Sequence, residues 1–159
     1  MFDRIFIFSA ALIGSAYAAC ADIQPQSGIW AGQVIYDGQT GCPPQVADQM
    51  KQARPGYADQ KIDFPEPFDP VALRGNDPNF AWSKISTNIW EGIYKDIQQT
   101  GVGTLTVVSK SIIIVLAPDE INQIADLTVD LPQNIAQTMG MATTTCVVRS
   151  NVYHKRTGP

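Results

Sequence analysis

An apolar tract at the amino terminus decides where this chain folds and how much of it is left to fold. Arg4 and the terminal amine form a thin positive region, weakened by Asp3, and Ile5 through Ala19 then runs without a charge. At about fifteen residues the tract is shorter than the roughly 20 that a permanent membrane-spanning helix needs. Ala16-Tyr17-Ala18 supplies the small-x-small pattern that signal peptidase reads. The expectation is a signal peptide over residues 1–19, cut after Ala18 or Ala19, with residues 20–159 left to fold as a single exported domain.

Export sets the chemistry of the three cysteines. In an oxidising compartment Cys42 and Cys146 are the natural disulfide pair, since one follows the first expected strand and the other lies inside the last. Cys20 is then the odd thiol. Tyr17-Ala18-Ala19-Cys20 resembles in part a bacterial lipobox, with Tyr where a Leu-like residue is usual. Acylation of Cys20 would anchor the domain peripherally on a membrane, whereas cleavage after Ala18 would leave Cys20 free, and both alternatives stay open. The formal charge of -4, and the lack of any Lys/Arg cluster before Arg149, His154, Lys155 and Arg156, give no electrostatic footprint for nucleic acid. No later apolar stretch approaches membrane-spanning length; the longest, Ile112 to Ala117, reads as a buried strand.

Periodicity organises the remainder. Trp30, Val34 and Tyr36 alternate with Ala31, Gln33 and Ile35 in a first strand ending at Asp37-Gly38. Val46, Met50 and Ala53 suit a short helix behind Pro43-Pro44. Residues 55–78 read as a long ordered loop, because Pro65, Pro67, Pro70 and Pro78 cannot join a ladder, and Phe64 and Phe68 are placed to hold it. Asp77-Pro78 can open a helix, after which Trp82, Ile85, Ile89, Trp90, Ile93, Tyr94 and Ile97 fall on one stripe and Gly101 stands where a stop belongs. That pattern predicts one amphipathic helix over about 78–99. Leu105 and Val107 alternate with threonines, Ser109-Lys110-Ser111 reads as a turn, and Ile112 to Leu116 as the partner strand of a hairpin. Residues 119–131 suit either period, and a turn followed by a strand is preferred. Pro132 to Met139 fits a second short helix, and Thr143 to Tyr153 a final strand. The sum is an α+β fold, an antiparallel sheet of about five strands packed against one long helix.

Catalytic chemistry finds little to work with. His154 is the single histidine and reads as a solvated tail residue beside Lys155 and Arg156; a hydrolase would have to use it as its base. Asp63, Glu66 and Asp69 lack EF-hand spacing, and Gly101-Val102-Gly103 lacks a dinucleotide fingerprint. One histidine and three cysteines are too few for a structural zinc site once two cysteines are bridged. No cofactor or metal is expected.

Gly28-Ile29-Trp30 resembles the Gly-x-Trp that opens the first strand of lipocalins, and Arg149 lies on a late strand where such folds often carry an arginine. The resemblance covers only those residues, and it would imply eight barrel strands where about five are expected. Two functional expectations follow. The first is a non-catalytic exported accessory protein, periplasmic or extracellular, that binds another exported or envelope protein through the loop carrying Phe64 and Phe68. The second is a carrier of a small apolar ligand, held in a pocket between the sheet and the helix bearing Trp82, Trp90 and Tyr94.

Overall fold

The computed structural model describes residues 21–46, 48, 56–74 and 80–159. Among the described residues, long runs rich in Ile, Val and Thr, broken by Gly, Pro and Asn, make seven strands: β1 (Gly28–Thr40), β2 (Gly56–Ile62), β3 (Phe80–Ser86), β4 (Ile89–Thr100), β5 (Gly103–Ala117), β6 (Glu120–Asp130) and β7 (Thr145–Gly158). The helices are short: α1 (Val71–Arg74), α2 (Gln133–Thr138) and a turn at residues 44–46. All seven strands form one sheet in the order β2-β1-β7-β6-β5-β4-β3, every neighbouring pair antiparallel. The first strand therefore lies beside the last, and the hairpin of β1 and β2 extends a meander that runs from β3 to β7.

Register fixes which side chains share a face, because paired residues point the same way and alternate residues point oppositely. Trp90 pairs with Ile113, Ile113 with Gln123, and Val115 with Ile121, which pairs in turn with His154. This inner face carries the main core of Trp30, Ile62, Phe64, Phe68, Trp90, Ile113, Val115 and Ile121, with Trp82 packed against it. A flat seven-stranded sheet would hold its edge strands roughly 29 Å apart at about 4.8 Å per strand. Ile62 of β2 and Trp82 of β3 nevertheless share this core, so the sheet curls and brings its two edges round toward one another.

The connection from β2 to β3 must travel from one edge of the sheet to the other, and it does so across the inner face. Phe64 meets Trp30 edge-on at 5.3 Å, Phe68 meets Phe64 at 5.5 Å, and Trp90 meets Phe68 at 4.8 Å. That aromatic chain joins β1 to β4 through the crossing segment. Residues 21–27 brace the same end of the fold. The Ile23 amide donates to Asn88 Oδ1 at 2.6 Å, the Asn88 amide donates to Asp22 Oδ1 at 2.9 Å, and the Gln24 side chain reaches the Pro65 carbonyl at 2.9 Å.

Several expectations are corrected. No helix occupies 80–99; that stretch is the hairpin of β3 and β4, turning at Thr87-Asn88, where Asn88 takes a φ of 60°. The reason is arithmetic: Ile85, Ile89, Ile93 and Ile97 recur every four residues, a spacing that satisfies the helical and the strand period equally. β-Branched isoleucine then favours the strand. Register splits the stripe, with Trp82, Trp90 and Tyr94 inside and Ile89 and Ile93 outside. Gly101 lies in the turn between β4 and β5 and stops no helix. Ser109-Lys110-Ser111 is the middle of one continuous strand, β5, and residues 56–62 of the expected loop form β2. The fold is therefore mostly β, not α+β. The two short helices are represented by residues 44–46 and by α2, while most of the first falls outside the described residues.

Candidate functional site

Two places on the inner face gather polar or aromatic chemistry. The first is a buried line of side chains. Gln123 Nε2 donates to Ser111 Oγ at 2.8 Å, and Gln123 Oε1 lies 3.2 Å from His154 Nε2, where a protonated Nε2 donates to it. His154 is only 3% exposed and Ser111 0%, so the histidine expected to be a solvated tail residue is part of the interior. Strand β7 continues through Gly158, and this extension carries His154 into the sheet opposite Ile121. A carboxamide neither takes nor gives a proton at ordinary pH, so the link through Gln123 orients the imidazole and relays nothing to the serine. Its role is to satisfy polar groups between two apolar regions. Gln123→Leu is expected to cost about 1–3 kcal/mol, the usual range for removing a buried hydrogen-bonding group. Urea denaturation followed by circular dichroism checks it.

The second place is a cleft of about 510 Å³ between the crossing segment and the β3–β4 hairpin, with Pro65, Pro67 and Phe68 on one wall and Trp82, Ser83 and Lys84 on the other. Consecutive residues of β3 point to opposite faces, yet Trp82, Ser83 and Lys84 all line it. Trp90 of β4 lines it as well, so the cleft spreads from the β3 edge onto the inner face. Trp82 is half-buried and stacked on Phe80 at 5.2 Å, which in turn stacks on Tyr94 at 6.2 Å. Gly92 makes this stack fit: a Cβ there would lie 2.6 Å from one Trp82 ring carbon and 2.7 Å from a Phe80 ring carbon.

Charge in the cleft is uneven. Asp22 forms an ion pair with Lys84 and accepts from the Asn88 amide. The Lys84 hydrogen bond, then the Asn88 amide, hold the Asp22 carboxyl below its ordinary range. Lys84 also sits 6.0 Å from the Trp90 ring centroid. With that cation already paired, the exposed carboxylates of Glu66 and Asp69 leave the rim acidic, although Asp69 Oδ1 also caps the Val71 amide at 2.9 Å.

Family models, curated proteins and solved structures all fail to match this chain. The sequence-predicted residues must therefore be judged by where they lie. Phe64 and Phe68 are in the core, 8% and 7% exposed, so the contact surface of their loop falls to Pro65, Glu66 and Pro67, all exposed. Trp82, Trp90 and Tyr94 share the inner face: Trp82 and Trp90 both line the cleft, Trp90 from the core, while Tyr94 lies behind Phe80. Cys42 and Cys146 are joined, tying the end of β1 to β7. Cys20 and the expected signal peptide lie outside the described residues. Among the described residues, no group of His, Cys, Asp and Glu is arranged to hold a metal, and no helix is long and apolar enough to cross a membrane.

Arg149, the arginine singled out beside Gly28-Ile29-Trp30, instead forms a two-point pair with Asp126, at 2.6 and 2.7 Å. The arginine next to that tripeptide is Arg156. Its Nε donates to the Ser27 carbonyl at 3.0 Å, and it crosses Gly28 so closely that a Cβ there would lie 2.6 Å from Nε. The sequence offers no cue for choosing between the two arginines, because the choice depends on β7 pairing with β1.

A third feature lies at the opposite end of the inner face. Leu127, Val129, Val148 and Cys146, with Val46 and Met139 above them, line a wholly apolar groove of about 290 Å³. Sequence reasoning missed it because its wall comes from alternate residues of β6 and β7, which meet only when those strands pair in this register.

Proposed function

We propose that this chain is a non-catalytic exported protein, periplasmic or extracellular, that binds another exported or envelope protein through the cleft between residues 65–70 and β3. The observation that carries the reading is Trp82, an aromatic anchor left half-buried at an open cleft with prolines opposite. Tryptophan in such a setting is the residue type most enriched among binding hot spots. The crossing segment is pinned by Phe64 and Phe68, so its prolines meet a partner with little backbone entropy left to lose. The acidic rim of Glu66 and Asp69 favours a partner segment that carries lysine or arginine beside an apolar residue.

A photo-crosslinking amino acid at Pro67, in protein made in its own host, is expected to trap one discrete partner. Trp82→Ala should weaken that complex by about thirtyfold or more, as loss of a 2 kcal/mol hot spot requires. The same variant should keep a cooperative melt, since the ring is only half-buried. Undiminished crosslinking in Trp82→Ala would reject the cleft as the contact.

A second reading, a carrier of a small apolar ligand, is supported by the groove beside Leu127 and Val148. Its volume is near the lower bound of about 300 Å³ for ligand pockets. Native mass spectrometry of protein from its own host tests it, and a consistently ligand-free mass excludes it.

A further inference from the structure

Rings make most of the cleft wall: Phe68, Trp82 and Trp90 supply aromatic ones, and Pro65, Pro67 and Pro70 supply pyrrolidines. Phe68 and Trp90 meet edge-on at 4.8 Å within the core, so packing fixes this floor before anything binds. Fixed rings cannot reshape themselves around a flexible ligand. They suit a segment whose own backbone is already set.

Two kinds of polar group accompany the rings. Trp82 is held by stacking on Phe80, and among the described residues its indole N–H meets no acceptor. The indole of Trp30, by contrast, is satisfied by the Gln26 carbonyl at 3.0 Å. Glu66 is exposed and makes no ion pair among the described residues, while Asp69 gives one carboxylate oxygen to the Val71 amide and keeps the other. Lys84, the one cation lining the cleft, is matched by Asp22. The site thus offers aromatic faces, a hydrogen-bond donor and an excess of negative charge.

A polyproline II helix answers the first two. It makes no internal hydrogen bonds, so its carbonyls are free to accept. Proline has no N–H, so no donor is stranded against apolar walls. Resting on the reading of the cleft as a protein-binding site, we propose that the partner segment is proline-rich, docks as a polyproline II helix, and carries an arginine or lysine at one end. Its proline rings lie against the aromatic faces, the Trp82 indole N–H donates to one of its carbonyls, and the basic side chain meets Glu66 or Asp69.

The probes are two synthetic peptides added to the mature, disulfide-bonded protein. One is octaproline with an arginine at each end; the other keeps the arginines but alternates valine with threonine, which favour an extended strand. By isothermal titration calorimetry the proline peptide is expected to bind about tenfold tighter or more, because less of its backbone freedom is lost. It should also shift the Trp82 indole N–H resonance. Trp82→Phe keeps a ring and removes the donor, and should weaken binding by about three- to tenfold. Glu66→Gln combined with Asp69→Asn should weaken the arginine-capped peptide and leave plain octaproline unchanged. Measurable but equal affinities for the two peptides, or undiminished affinity in Trp82→Phe, would overturn polyproline II docking on Trp82 while retaining the cleft as a binding site. So would binding of neither peptide by protein that still forms the Pro67 crosslink. Binding of neither, together with no crosslink at Pro67, would overturn both readings.

Discussion

Trp30→Ala is expected to destabilise the protein by about 3–5 kcal/mol, the range for removing a buried large aromatic side chain. Trp30 is fully buried, packs edge-on against Phe64, and donates its indole N–H to the Gln26 carbonyl at 3.0 Å. Truncation therefore opens a cavity and also strands a carbonyl of the amino-terminal brace. Because the aromatic chain from Trp30 through Phe64 and Phe68 to Trp90 fastens the crossing segment, the damage should spread to that segment. Typical domains have only about 5–15 kcal/mol in hand, so much of the total stability would go. Urea titration by far-ultraviolet circular dichroism reads the loss. Trp30→Phe, which keeps a ring against Phe64, should lose clearly less, and equal losses would show that ring packing is not the dominant contribution.

The paired substitution Cys42→Ser/Cys146→Ser is expected to cost about 2–5 kcal/mol, since the bridge constrains the unfolded chain over a long loop. The two cysteines are separated by 104 positions in sequence. Replacing both avoids a stray thiol that could pair with Cys20. The reduced wild-type protein should melt at the same temperature as the double variant, measured by calorimetry with and without reductant. A double variant as stable as the oxidised protein would mean that the β1–β7 ladder already holds these ends together without the bond.

The sequence displays elements better than it displays neighbours. β1 and β7 are legible from alternation and β-branched content, and α2 from its proline start. β2 is not, because its seven residues Gly56–Ile62 offer little apolar alternation; the strand exists because β1 supplies a partner. The β3–β4 hairpin is hidden by the four-residue recurrence of isoleucine, and its turn by Thr87-Asn88, which fits equally well on the polar face of a helix. At the candidate site, the aromatic and proline residues are visible in the sequence, but their arrangement is not. Which rings reach the cleft depends on register, and the burial of His154 depends on β7 running beyond Tyr153. Both are tertiary facts, set by pairing between segments far apart in the chain.

The neighbourhood of β1 and β7 also governs when this protein can become itself. Trp30 stands opposite Arg156, so β1 waits for β7 before that ladder can form. The ladder that seals the aromatic interior cannot form until β7 has been made, and it closes a long loop when it does. Contacts of such long range are slow to find, so the meander from β3 to β7 has time to assemble before β1 docks onto it.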